Sequence, residues 1–190
     1  MDSQRLQAAI ASAQRGLAEG FQELLEAYGP RLYGYFMRAT GNHHDAEDLL
    51  GEMYLRLVRR LRDYHHRGRF EPWLFRIAAN MVRDRIRRRR VRPAMADGSE
   101  DQDESPLERL AAVNGTSADS ALVAQETQQQ VTRALARLDD KSRQAILLRH
   151  FGQLSFREIA RMQGCPLGTA LARVHRGLRR LRELMGDDDA

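Results

Sequence analysis

Between Arg83 and Arg92 the chain carries seven arginines against one acid, Asp84, and no lysine. Guanidinium is the side chain suited to bidentate contact with phosphate. The chemistry this run suggests is therefore the non-covalent holding of a polyanion. A solvated charged face is the alternative, and most charge runs are that. Other groups capable of chemistry are sparse. Asp45, Glu47 and Asp48 cluster behind Asn42, where a helix start favours negative charge; this explains them without catalysis. The histidines include two adjacent pairs, His43–His44 and His65–His66. A metal-dependent hydrolase built on them and the nearby acids is the enzyme alternative. Adjacent histidines diverge on a helix, however, and no His-x-x-x-His spacing occurs. The single cysteine, Cys165, excludes an internal disulfide and any Cys-x-x-Cys metal site. Neither a metal nor a cofactor is expected, and no catalytic residue is assigned.

The elements that position the arginines read as helices. Trp73, Leu74, Ile77, Ala78 and Met81 recur at three- and four-residue spacing, giving one apolar face. Pro72 fits the first turn. This helix is anchored in a core at one end and cationic at the other, which suits nucleic acid. Upstream, a helix is expected over 4–19 through Leu6, Ile10, Ala13 and Leu17, punctuated by Gly20. A second follows through Phe21, Leu24, Leu25 and Tyr28, broken or kinked at Gly29-Pro30. It resumes through Leu32, Tyr33, Phe36 and Met37 as far as Thr40-Gly41. Asn42 caps the next helix, with Ala46, Leu49, Leu50, Met53, Leu57, Val58 and Leu61 as its apolar stripe.

At Pro93 the composition changes. Six acids and no basic residue lie between Pro93 and Glu108, and the polar character continues to Ser117, apart from a short helical turn around Leu107–Val113. This reads as a flexible acidic linker. Beyond it, Leu122, Val123, Val131, Ala134, Leu135 and Leu138 form one helix, and Asp139 or Asp140 caps the next. Ser155-x-x-Glu158 is a capping box for a third, which ends at Gln163-Gly164. Pro166 opens a last helix with Leu167, Ala170, Val174, Leu178 and Leu181 inward and five arginines elsewhere. A short helix, a glycine turn and a longer basic helix describe a helix-turn-helix, with a generic helical hairpin as the alternative. The expected fold is all-α, with two small helical domains at 1–92 and 119–190 joined by the linker at 93–118.

With 190 residues, 42% hydrophobic content and a net charge of +5, the chain can fill real cores. It has no apolar run near eighteen residues and no basic-then-apolar N-terminus. A cytoplasmic protein without membrane insertion or secretion is expected.

Four stretches resemble motifs of one family, in its order and spacing: Asp45-Ala-Glu-Asp-Leu49, Phe70-Glu-Pro-Trp-Leu-Phe-Arg-Ile-Ala-Ala-Asn80, Leu154-Ser-Phe-Arg-Glu-Ile-Ala160 and Gly164-Cys-Pro-Leu-Gly-Thr-Ala-Leu-Ala-Arg173. The family is the extracytoplasmic-function (ECF) group of bacterial sigma factors. The resemblance implies a region 2 domain and a region 4 helix-turn-helix domain that together bind core RNA polymerase and promoter DNA. Asp45, Glu47, Asp48, Leu49, Glu52 and Met53 would dock on the polymerase. His65, Phe70, Trp73, Arg76, Asn80, Arg83, Arg85, Arg87 and Arg88 would open the −10 element and hold its non-template strand. Within that set Phe70 and His65 are the exposed stacking candidates, and Trp73 is expected to be mostly core. Arg149, Thr169, Leu171, Ala172, Arg173, His175 and Arg176 would read the −35 element. An anti-sigma factor is a further implied partner, and nucleoid association is implied when the protein is active.

Two departures from the family pattern stand out. Gly51 occupies a position where glutamine is common, and Leu171-Ala172 replace polar residues on the helix meant for the groove. These apolar side chains suit thymine methyls or weaken the grip on DNA. The 26 linker residues reach at most roughly 85 Å but average roughly 25–30 Å as a coil. An extended path in a basic polymerase channel is therefore expected. A free-standing helix-turn-helix regulator remains the competing reading; it would need neither the acidic helix nor the aromatic loop.

Overall fold

The computed structural model describes residues 1–66, 68–91 and 118–186. The acidic linker, its expected helical turn, Arg67, Arg92 and the side chains of Leu122 and Val123 lie outside the described residues. Eight α-helices are described: α1 (Ser3–Gln14), α2 (Ala18–Thr40), α3 (His43–Leu61), α4 (Phe70–Val91), α5 (Ala118–Ala136), α6 (Asp140–Phe151), α7 (Phe156–Gln163) and α8 (Leu167–Gly186). Among the described residues there is no strand, so the protein is all-α.

Helices α1 to α4 pack around α2, whose buried Leu24, Tyr28, Leu32, Tyr33, Tyr35 and Phe36 meet Leu49, Leu50, Met53, Phe70, Leu74 and Phe75. Of the break or kink expected at Gly29-Pro30, the break does not occur: α2 runs continuously through Pro30. Pro30 lacks the N–H for one intrahelical bond, but buried residues on both sides of it hold the helix to the core. Here tertiary packing overrides local propensity.

Gly20 does not end the first helix either. The chain reverses at Gly16, in the left-handed region at φ +83°, and Gly20 lies inside α2 where it crosses α1. A Cβ there would stand 2.4 Å from the Ala13 nitrogen and 2.6 Å from the Ala9 oxygen, so only glycine permits this approach. Leu17, expected inside, caps α2 and is 45% exposed.

The α3 stripe is buried as expected except for Val58, which is exposed. Asn42 caps α3 by accepting from the Asp45 amide at 2.9 Å.

Helices α5 to α8 form the second bundle. Asp139 caps α6, and Ser155 with Glu158 forms the capping box of α7 in both directions. Gly164, left-handed at φ +61°, ends α7. Leu148, Leu154, Ile159, Ala170 and Val174 fill the core between α6, α7 and α8. Leu167 and Leu178, expected inward, are more than 40% exposed. Leu178 lines a cleft of about 710 Å³ with Val131, Leu135 and Phe151.

The two bundles also touch. Helix α2 packs against α5 and α6, and α4 packs against α6.

Burial opposes ionisation of Glu158, but hydrogen bonds from the Ser155 hydroxyl and amide, and the charges of Arg69 and Arg76, outweigh it. Its carboxyl therefore ionises below the usual carboxylate range. Asp139 is likewise held low: the Ser142 and Lys141 bonds and the Arg173 charge overcome its desolvation. A depressed folded-state pKa contributes stability above the unfolded value of about 4 and loses it as pH falls through the folded value. Thermal unfolding followed by circular dichroism should show the second bundle losing stability below about pH 4, and Glu158→Gln should flatten that loss. Gly20→Ala should destabilise the first bundle by about 1–3 kcal/mol, because backbone atoms must move to admit the methyl group. An unchanged melting curve would mean that the α1–α2 crossing relaxes freely.

Candidate nucleic-acid interface

Helix α4 presents Trp73, Arg76, Asn80, Arg83 and Arg87 at three- and four-residue intervals. Trp73 is half-buried and the other four are exposed. This spacing lines them along one edge of the helix. The stripe is cationic along most of its length, with one amide side chain, Asn80, able to donate and accept at a base edge. Arg88 is exposed beside it, while Arg85 points elsewhere.

At the N-terminal end of the stripe one aromatic departs from expectation: Phe70, expected to be an exposed stacking ring, is buried, whereas Trp73 packs largely on the core and His65 is exposed, as expected. Phe70 is 1% exposed, packed against the rings of Tyr28 (5.3 Å), Tyr64 (5.6 Å) and Trp73 (5.5 Å). It is a core residue, because the first turn of α4 directs it back onto α2. Trp73 is the half-buried ring, stacked on Tyr64 with centroids 4.4 Å apart and planes tilted by 39°. Arg60, Asp63, Tyr64, His65 and Trp73 together line an open cleft of about 500 Å³. His65 is exposed there, and its Nδ1 lies 3.1 Å from the Asp63 carbonyl. Arg60 and Tyr64 were not anticipated as site residues. The cue for Tyr64 was present, since it stands next to His65 in the polar loop.

The acidic helix α3 divides into two faces. Asp45, Leu49 and Met53 are all buried. Arg85 reaches across from α4 to donate to Asp45 at 2.8 Å and lies 3.4 Å from Asp48 and 3.8 Å from Glu52. Arg89 also pairs with Asp45. Arg85 is thus committed to carboxylates and faces away from the stripe. Asp48 and Gly51 are exposed, Glu52 half-exposed, and Leu55 and Val58 are exposed apolar residues one and two turns on. The last two were missed, although their positions relative to Asp48 place them on its face. Nothing lies within 4 Å of a Cβ built on Gly51, so that departure sits on the outer surface. Glu47 lies 3.6 Å from His43, whose other nitrogen is 2.8 Å from the Tyr33 hydroxyl.

In the second bundle α8 exposes His175, Arg176 and Arg179, with Gly168 on the same side and Ala172 half-buried between them. Thr169 and Leu171 are half-buried. Two of the expected groove-reading arginines, exposed Arg149 and half-buried Arg173, also bond to the fold. Arg173 donates to Gln163 at 2.6 Å and to the Cys165 sulfur at 3.3 Å, closing the turn between α7 and α8. Arg149 donates to the Leu154 carbonyl at 3.0 Å and sits over the Phe156 ring. Among the described residues no group of three or more His, Cys, Asp or Glu is placed to hold a metal ion, and no helix is long and apolar enough to cross a membrane.

Known proteins share this arrangement. Residues 24–92 match the Sigma-70 region 2 family, and residues 128–181 match Sigma-70, region 4. The ECF RNA polymerase sigma factor SigW of Bacillus subtilis is 29% identical over 183 residues, covering 94% of this chain and 95% of its own. The RNA polymerase sigma factor CarQ of Myxococcus xanthus is 34% identical over 172 residues, covering 90% and 92%. In fold, the chain is similar to the sigma factor RpoE of Bartonella quintana, solved in complex with the anti-sigma factor NepR, with a TM-score of 0.66, 24% identity and coverage of 89% and 98%. With both regions matched and in the order of its full-length relatives, the chain belongs to the ECF sigma factors of the sigma-70 family.

Proposed function

We propose that the protein binds core RNA polymerase and directs promoter-specific initiation of transcription, melting and holding the −10 element with the first bundle and reading the −35 element with the second. The observation that carries this reading is the aromatic cleft at Tyr64, His65 and Trp73, which opens at the head of the stripe Arg76–Asn80–Arg83–Arg87. Single strands are held by stacked bases beside a basic track. A base leaving the duplex needs a ring to receive it, and a phosphate track one helix-turn away fixes the strand that follows. A duplex-only regulator has no use for such a cleft.

The proposed polymerase-docking face is the outer side of α3, where Asp48 and Glu52 supply charge and Leu55 and Val58 supply apolar contact. Asp45, Leu49 and Met53 support it from within. For the −35 element, His175, Arg176 and Arg179 are the accessible donors. Ala172 sits between them as an apolar contact for a thymine methyl. The protein in this reading has no chemistry of its own and works in the cytoplasm, at the nucleoid when active. It is held in check by an anti-sigma protein that covers these faces.

The test is transcription in vitro with core polymerase and fragmented DNA from the organism's own genome. Discrete new starts sharing two upstream motifs are expected. No added starts, with duplex binding intact, would favour a stand-alone regulator. Trp73→Ala should lower open-complex formation by roughly 5- to 150-fold, corresponding to the 1–3 kcal/mol of one base stack, while duplex binding persists. Permanganate reactivity of the melted thymines measures it, and wild-type reactivity in the variant would remove Trp73 from the mechanism.

A further inference from the structure

Helix α1 ends at Gln14 and lies outside the stretch that matches region 2, which begins at residue 24. Its buried residues Ala9, Ile10 and Ala13 hold it against α2 at the Gly20 crossing. Gln14 follows the last of them and is exposed, so core packing makes no demand on it. Its side chain nevertheless reaches the connection between α3 and α4. The Nε2 group donates to the Leu61 carbonyl at 3.0 Å and to the Tyr64 carbonyl at 2.6 Å. Both partners only accept, so the amide must meet them with its NH2 group, and both hydrogens are used.

Leu61 is the last residue of α3, where helix carbonyls have no partner from a following turn. Its oxygen also accepts from the Tyr64 amide at 3.1 Å. One turn is thus closed by a backbone bond and clamped at both ends by a side chain 47 and 50 residues away in sequence. The Tyr64 carbonyl belongs to the planar peptide that joins Tyr64 to His65. Holding that oxygen orients the backbone from which both cleft-lining rings depart. The Tyr64 ring stacks on Trp73 at 4.4 Å, and Asp63 and His65 line the same opening.

We propose that Gln14 is a positioning residue for the −10 element: α1 reaches past its own core contacts to set the peptide that carries Tyr64 and His65, and so the shape of the pocket that receives a base. This rests on the reading of the cleft as the receiver of a −10 base. A polar surface loop is mobile unless something ties it down, and a pocket whose supporting groups are loose discriminates poorly. The amide ties this loop to a helix anchored in the core.

Two variants test the clamp. Gln14→Leu removes both donors at an exposed helix end that accepts leucine. Gln14→Lys restores them, because an ammonium group can donate to the last carbonyls of a helix. Trp73 is the single tryptophan of the chain, so its emission reports the Tyr64–Trp73 pair in the free protein. Gln14→Leu should shift that emission to the red and raise its quenching by acrylamide, while thermal unfolding followed by circular dichroism changes little. Gln14→Lys should return both signals toward wild type. In holoenzyme assembled with core polymerase, the second readout is the preference for a single-stranded oligonucleotide carrying the −10 sequence of a mapped start over a scrambled one. That preference should fall roughly 3- to 10-fold in Gln14→Leu, the worth of one net hydrogen bond, and recover in Gln14→Lys, with affinity for core polymerase unchanged in both. Wild-type emission in Gln14→Leu would overturn the proposal, as would shifted emission with an unchanged preference. A loss that lysine does not recover, or that is matched by a fall in melting temperature and core affinity, would assign Gln14 a structural role only and overturn it too. A wild type without any −10 preference is a separate result: it would overturn the sigma reading, while the Trp73 emission still decides whether Gln14 sets the cleft.

Discussion

The buried carboxylate of Asp45 is the constraint on which region 2 depends. It lies at the start of α3, 6% exposed, and two arginines of α4 converge on it. An ionised group this deep is tolerated only when paired. Removing one partner of such a pair typically costs about 3–5 kcal/mol, because the other is left buried and uncompensated. The pairing therefore fixes the rotation of α4 about its own axis. With Arg85 and Arg89 committed to α3, the edge carrying Arg76, Asn80, Arg83 and Arg87 must face the other way, where all four are exposed. The same contact sets α3, whose outer face leaves Asp48, Leu55 and Val58 exposed and Glu52 half-exposed. One ion-pair cluster orients both the face proposed for polymerase and the edge proposed for DNA.

That dual use explains which parts were legible in the sequence. The helices, the Asn42, Asp139 and Ser155–Glu158 caps and the helix-turn-helix follow from local rules: apolar spacing, cap chemistry and a glycine at a left-handed turn. Those rules say nothing of which arginine serves the fold and which serves the ligand. Arg85 and Arg173 look identical in sequence to Arg176 and Arg179, yet the first two are bound to carboxylates or a side-chain amide of the fold. The burial of Phe70 has the same origin: its rotational position against α2, where it meets the Tyr28 ring, is a tertiary property. Gly20 and Pro30 look like local punctuation in the sequence, yet neighbours set their roles: the α1 backbone approaches Gly20, and buried residues on both sides keep the helix continuous through Pro30.

The seam between the bundles depends on close backbone approach rather than on charge alone. Gly34 and Gly152 let the Phe151 ring and the end of α6 come within reach of α2 and Phe75, where a Cβ would intrude. Arg31, fixed by Glu71, closes the same seam by donating to the Phe151 carbonyl. None of these groups belongs to the Asp45 cluster of the first bundle or to the capping box and the Arg173–Gln163 bond of the second. The surface each bundle presents is therefore shaped inside that bundle, and the seam sets only how the two are placed together.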